Sequence, residues 1–236
     1  MRDPENRLEN DFQFRYDLLA PTLLKEDAFM NRIPLLGFVL FVGLGIGWRS
    51  WLQRRRHGSS GIALFRSGQW AQHLREVGAL VLVVLLAAQS IALAVDPRSL
   101  DALLLVRPTP AMQWLGATIL LAGLALMVTA QLDLGASWRI GIEQEARPGL
   151  VVGGLYRFCR NPIFLAMLAV LLGFTLVVPT WLSLGLLVGT YVGLRGAIGV
   201  EEGYLRRTYG DDYMAYAARV GRFLPHLGRL AATHGR

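Results

Sequence analysis

The sequence predicts an all-α integral membrane protein with about five transmembrane helices, the last two forming a short hairpin. Three observations carry that expectation. Of the 236 residues, 53% are hydrophobic and only 17% are charged, where soluble domains carry about a quarter charged residues. Mean hydropathy is +0.40. Several apolar runs are long enough to cross the ~30 Å hydrocarbon core of a bilayer, and the longest, 162–194, has 33 residues without a charge. The runs are spread along most of the chain, so a single membrane domain is expected.

Residues 1–32 form a polar N-terminal segment with five basic and seven acidic residues. Phe12, Phe14, Leu18, Leu19, Leu23 and Leu24 make an apolar stripe interrupted by Pro21. That stripe suits an interfacial helix; a disordered tail suits the same residues. No cleavable apolar core precedes it, so no signal peptide is expected.

The region 33–132 holds three spans. The first, 33–52, has glycines at 37, 43, 45 and 47 that let another backbone come close. Trp48 and Trp51 near its end favour the headgroup layer. A basic stretch, 54–76, follows. The second span, 77–95, has nineteen uncharged residues and is stopped by Pro97. The third, 111–132, begins after a short connection.

Residues 133–236 begin with a polar connection that leads into the long run at 162–194. As one helix that run would be ~50 Å long, well beyond the hydrocarbon core. Pro179 near its middle breaks it. Two antiparallel helices are expected, 162–178 and 180–195, each roughly 25 Å long. The C-terminal stretch reads as a helix broken near Gly210, with Asp211 or Asp212 able to cap its continuation. Tyr213, Tyr216 and Val220 then recur at helical spacing, and Pro225 ends the element.

Arginine placement fixes the orientation. There are six between 49 and 76, two between spans two and three, four in 133–161 and seven after Leu194. By the positive-inside rule the 49–76 loop, the 133–161 connection and the C-terminus are cytoplasmic. The expected location is a bacterial cell membrane, with the site on its cytoplasmic face.

The net charge of +7 comes with 23 arginines among 24 basic residues. They are divided among loops rather than gathered with aromatics on one module, which speaks against nucleic-acid binding. Cys159 stands alone, so no intrachain disulfide forms; it reads as a small apolar residue. The four histidines have no metal-ligand spacing, and Ser137 has no triad partners. Gly149, Gly153 and Gly154 lack the strand and spacing of a dinucleotide fingerprint; they read as turn formers where a ligand approaches. Asp133 reads as a capped helix end.

A hairpin brings its own ends together. Arg160 and Asn161 before it are therefore expected beside 195–202 after it, which gathers Arg160, Arg195, Glu201 and Glu202 at the membrane surface. Such a group suits a ligand bearing both charges, the carboxylates meeting a cation and the arginines an anion. It equally suits interfacial charges that anchor helix ends.

The stretch GGLYRFCRNPIFLAMLAVLLG, followed about forty residues later by EEGYLRRTYGDDYMAYAARVGRFLP, resembles the isoprenylcysteine carboxyl methyltransferase family and the related membrane phospholipid methyltransferases. The elements that carry the resemblance are Gly154, Tyr156, Arg160-Asn161-Pro162, Phe164, Glu201-Glu202, Leu205, Tyr209-Gly210, Tyr213, Tyr216 and Arg222-Phe223-Leu224-Pro225. They cover roughly 131–225. Asn161 stands where the family often has histidine, and Phe164 where it has tyrosine. Ala197 stands where the family has arginine, with Arg195 two residues earlier.

The resemblance implies S-adenosyl-L-methionine as cofactor, in a pocket at the cytoplasmic membrane face. By position, Leu150 and Val151 would contact the adenosine side, with Gly149 next to them at the approach point. Tyr156 would pack on the cofactor. Asn161, Pro162, Ile163 and Phe164 would line the pocket, and Glu201 would hold a polar group. The acceptor implied is hydrophobic or lipid-linked and enters sideways from the bilayer. A carboxylate or thiolate acceptor would be oriented by Arg160 or Arg195; an amine would need a base, with Glu202 the candidate. The alternatives are a phospholipid-amine N-methyltransferase and a non-catalytic scaffold or assembly protein of the same fold. The segment 133–144, with Ser137-Trp138-Arg139-Ile140-Gly141 at its centre, is a basic interfacial stretch or a lid over the cofactor.

Overall fold

The structure, a computed structural model, describes residues 29–65, 70–140 and 149–230. Five helices organise them: α1 (Ile33–His57), α2 (Trp70–Val95), α3 (Pro110–Leu134), α4 (Pro162–Val177) and α5 (Trp181–Arg219). α1, α2, α3 and α5 are long and apolar enough to cross a membrane, and α4 is a shorter apolar helix. Among the described residues only isolated β-bridges interrupt this all-helical plan.

The five expected spans are these five helices, with two differences. α1 continues to His57 and passes through a π-helical turn, Gly43–Trp48, where its glycines cluster. The second hairpin arm does not stop at 195. The unbroken part of α5, 181–209, has 29 residues, ~44 Å at the usual rise, so it projects past a ~30 Å core. Nothing from Arg195 to Tyr209 breaks a helix: there is no proline, and Glu201, Glu202, Leu205, Arg206 and Arg207 are good helix formers. The break comes at Gly210, at φ 49° and ψ −122°. The change of polarity at 195 marks where the helix leaves the apolar layer, not where it ends.

α3 and α4 make the most extensive helix contact, because glycine removes the side chains between them. A Cβ at Gly116 would lie 2.7 Å from the Gly173 carbonyl oxygen, and one at Gly173 2.5 Å from the Gly116 carbonyl oxygen. Backbone meets backbone there, as small residues permit in membrane bundles. Leu86, Leu120, Leu124, Met127, Leu171 and Phe174 fill the core around that contact.

The hairpin tip is fixed by polar groups. The Thr180 hydroxyl accepts the Ser183 N–H at 3.0 Å, while the Ser183 hydroxyl accepts the Thr180 N–H at 3.0 Å. This reciprocal cap starts α5. Gln89 of α2 donates to the Thr180 hydroxyl at 3.0 Å, and Leu105 N–H to the Pro179 carbonyl at 2.8 Å. With its tip held, the hairpin can present its other end as a rigid mount for the polar segments.

Candidate functional site

The polar connection departs from α3 at Gly135, whose φ of 54° turns the chain out of the helix. Asp133 sits in the last turn of α3. A carboxylate there opposes the helix dipole, so it needs a partner elsewhere. It finds one in the N–H of Leu155, which donates to its Oδ2 at 2.7 Å. The Asp133 carboxylate also occupies the place where a Cβ at Gly154 would stand, and Gly154 has φ 55°. Glycine at 154 is thus required twice, for its backbone angle and for the space.

These contacts set a short 3-10 turn, Gly154–Arg157, carrying Tyr156. Tyr156 is 8% exposed. Its carbonyl accepts the Tyr216 hydroxyl at 2.7 Å, which ties the turn to the end of α5. Burial first, and the carboxylate of Glu201 second, push the Tyr156 hydroxyl above its ordinary range. It is a neutral phenol at physiological pH.

The next residues pair with the chain beyond α5. Cys159 and Gly221 form an isolated parallel bridge. Arg160 N–H donates to the Gly221 carbonyl at 2.9 Å. Asn161 donates twice to the Arg222 carbonyl, from its backbone at 3.2 Å and from Nδ2 at 3.1 Å. Burial pushes the Cys159 thiol up against the lowering pull of the Asn161 N–H and Arg160, which suits an inert buried thiol rather than a nucleophile.

Arg160 and Glu202 meet as the hairpin geometry requires, with Nη2 of Arg160 2.7 Å from Oε1 of Glu202. The pair is a clasp. Nη1 of Arg160 also donates to the carbonyls of Ala217 at 2.8 Å and Val220 at 3.1 Å, and Nη2 to that of Gly228 at 3.0 Å. On its other side Glu202 receives Arg222, whose Nη2 is 2.6 Å from Oε2. The hydrogen bonds to Glu202 hold the Arg222 guanidinium above its ordinary value. Both oxygens of Glu202 are committed to arginine, which leaves it ill-suited to act as a general base. Arg160 is likewise committed to holding the C-terminal segment.

The remaining expected residues fall into two groups. Leu150, Val151, Ile163 and Phe164 are half-buried, Gly149 is exposed, and Pro162 is buried at the start of α4. Glu201 is exposed on α5 and lies within electrostatic reach of Tyr156, Glu202 and Arg139. Leu150 packs against the cluster of Tyr213, Tyr216, Ala217 and Val220 at the end of α5. Among the described residues Glu201 makes no side-chain hydrogen bond or ion pair that would tie it up as Glu202 is tied. Arg195 does not join them. It is exposed, two helical turns (~10 Å) back along α5 from Glu202, and donates to the Tyr191 hydroxyl at 3.3 Å. The expectation that the hairpin ends would gather it fails because α5 stays helical through 195, which moves Arg195 down the shaft.

Three residues that sequence reasoning had not placed in the site enter it: Asp133, Arg139 and Arg222. Arg222 stood in the quoted Arg-x-x-Pro ending, and Asp133 could have been suspected from its charge at a helix C-terminus. Up to Ile140 the connection is anchored, since Ile140 exchanges hydrogen bonds with Gly61 and Ala63 at 2.7 and 2.8 Å. That part is a wall; 141–144 of the suggested lid lie outside the described residues.

A separate cleft lies at membrane depth between α1, α2, α3 and α4. Phe38, Phe41, Leu82, Leu120, Met167 and Phe174 are among its lining residues, and every lining side chain is apolar. With only about 20 Å³ of accessible space it has room for little more than one water and is a packing gap between helices, not a cofactor site.

The chain is similar to the structure of the eukaryotic intramembrane Ras methyltransferase ICMT (isoprenylcysteine carboxyl methyltransferase), determined without a monobody. The TM-score is 0.50 at 16% identity, over 83% of this chain and 70% of that one. The two chains therefore share a fold. Residues 111–212 match the family model described as phospholipid methyltransferase, so the resemblance drawn from the sequence stands in both sequence and fold. No curated protein sequence matches.

Proposed function

We propose that this chain is an S-adenosyl-L-methionine-dependent methyltransferase of the membrane, acting on a hydrophobic or lipid-linked acceptor that presents a carboxylate or thiol. The observation that carries the reading is the closure of the Tyr156 turn and the start of α4 onto Glu201-Glu202 by the Arg160 clasp. That closure supports reading the half-buried apolar side chains around the turn and the Glu201 carboxylate as parts of one site.

That donor set fits the cofactor in kind. Leu150, Val151, Ile163 and Phe164 offer apolar contact for a base. Gly149, with nothing within 4 Å of a Cβ position among the described residues, suits close approach by a ligand. Glu201 offers a carboxylate to a hydroxyl or ammonium group, and Tyr156 a neutral ring backed by α5. When bound, the cofactor supplies an activated methyl group on a sulfonium. The protein's own work is alignment and exclusion of water. The clasp holds the start of α4 and the Glu202 turn of α5 together across the hairpin.

The clasp supports a carboxylate or thiol acceptor over an amine. An amine needs a base, and Glu202 is held by two arginines. A carboxylate or thiolate needs none. A labelled-methyl assay on fractionated membrane lipids, prenylated cysteine and small thiols tests this. Label on carboxyl or thiol acceptors supports the reading; label confined to amine-headgroup lipids overturns the acceptor assignment in favour of a phospholipid-amine N-methyltransferase.

A further inference from the structure

α1 lies outside the matched segment 111–212, yet it holds the end of α3 from which the candidate site is built. Arg49 is 2% exposed. Its Nε donates to the Gln131 carbonyl at 3.3 Å, its Nη2 to the Gly135 carbonyl at 2.5 Å, and its Nη1 to Oε1 of Gln53 at 2.9 Å. Gln53 in turn donates to the Ala136 carbonyl at 2.9 Å. The guanidinium lies 4.8 Å from the ring of Trp138. Gln131 returns the contact, donating to the Gly45 carbonyl at 3.0 Å.

The acceptors are chemically particular. When Gly135 turns out of the helix, the last carbonyls of α3 lose their helical partners. They also carry the partial negative charge of the helix C-terminus, for which a cation is the fitting partner. A neutral side chain at 49 could fill the space but could not meet two carbonyls and an amide at once from a rigid planar fork. Between the two clamped carbonyls lies Asp133, the residue that holds the Leu155 N–H and packs against Gly154.

We infer that Arg49 is a positioning residue for the candidate cofactor wall. It fixes the last turn of α3, and through Asp133 it sets the turn that carries Tyr156. Its functional consequence rests on the methyltransferase reading; the mechanical link does not.

The test uses the full chain in lipid nanodiscs, wild type against Arg49→Gln and Arg49→Lys. Hydrogen exchange is followed at the Leu155 amide and at hairpin-tip amides around Thr180, and S-adenosylhomocysteine is titrated calorimetrically as the probe. In Arg49→Gln the Leu155 amide exchanges about tenfold faster, as expected for loss of a charged hydrogen bond. The Thr180 region is unchanged, and affinity for the probe falls about tenfold. Arg49→Lys recovers part of both. Unchanged exchange at Leu155 in folded Arg49→Gln overturns the inference. So does a uniform rise that includes the hairpin tip, which would mark a purely global role. If Arg49→Gln does not fold, Gln53→Ala gives the same reading through the Ala136 contact alone. Faster exchange at Leu155 with no probe binding by wild type would sink the methyltransferase reading and leave the positioning role supported.

Discussion

Glu202 has the most to lose on mutation. It is 5% exposed and is the carboxylate that both Arg160 and Arg222 contact. Removing its charge in Glu202→Gln leaves two cations facing each other, and breaking a buried pair in this way costs about 3–5 kcal/mol. Arg222→Gln costs far less, about 1 kcal/mol, because that side chain is 30% exposed and Arg160 still serves Glu202. Thermal denaturation in detergent should rank them in that order; equal shifts would mean that the clasp is not the fastening it looks. Tyr156 gives a pH prediction. Its hydroxyl is raised above the ordinary 10.0, so its contribution to stability is full below that pH and is lost as pH rises above it. The unfolded chain ionises first and draws the equilibrium toward unfolding. Melting temperature should fall above about pH 10, and by less in Tyr156→Phe.

Among the helices, the α3–α4 contact depends on glycine. At Gly173 a new Cβ would meet backbone atoms of Gly116 and Leu120, which cannot swing aside as a side chain would. Gly173→Ala should destabilise by roughly 1–3 kcal/mol, the usual cost of overpacking. Gly185→Ala on α5, where a Cβ meets nothing within 4 Å, should be near neutral in the same denaturation assay. The elements themselves were legible because a bilayer demands uncharged runs of a set length, and Pro179 divided the longest of them. The extent of α5 was not. A change in polarity looks the same in sequence whether a helix ends or merely leaves the membrane. The π-helical turn of α1 was equally hidden, since its glycines signalled close approach without saying how the backbone would respond.

Across the whole molecule, sequence order alone placed Arg160 beside Glu202, because a hairpin must return to where it began. It could not say that the two would bond to each other. Nor could it join Asp133 to Gly154, or Arg49 to the end of α3, since such pairings depend on packing between distant segments. The proposed cofactor site joins the Glu201 carboxylate to an apolar wall beside the Tyr156 turn. The central claim is that this wall and carboxylate hold the methyl donor. Calorimetric titration of the purified protein with S-adenosyl-L-methionine tests it most directly. Saturable binding by wild type, weakened about tenfold or more in Glu201→Ala and Tyr156→Ala and unchanged in Arg195→Ala, is the predicted result. No binding by wild type, or equal binding in all four proteins, would contradict it.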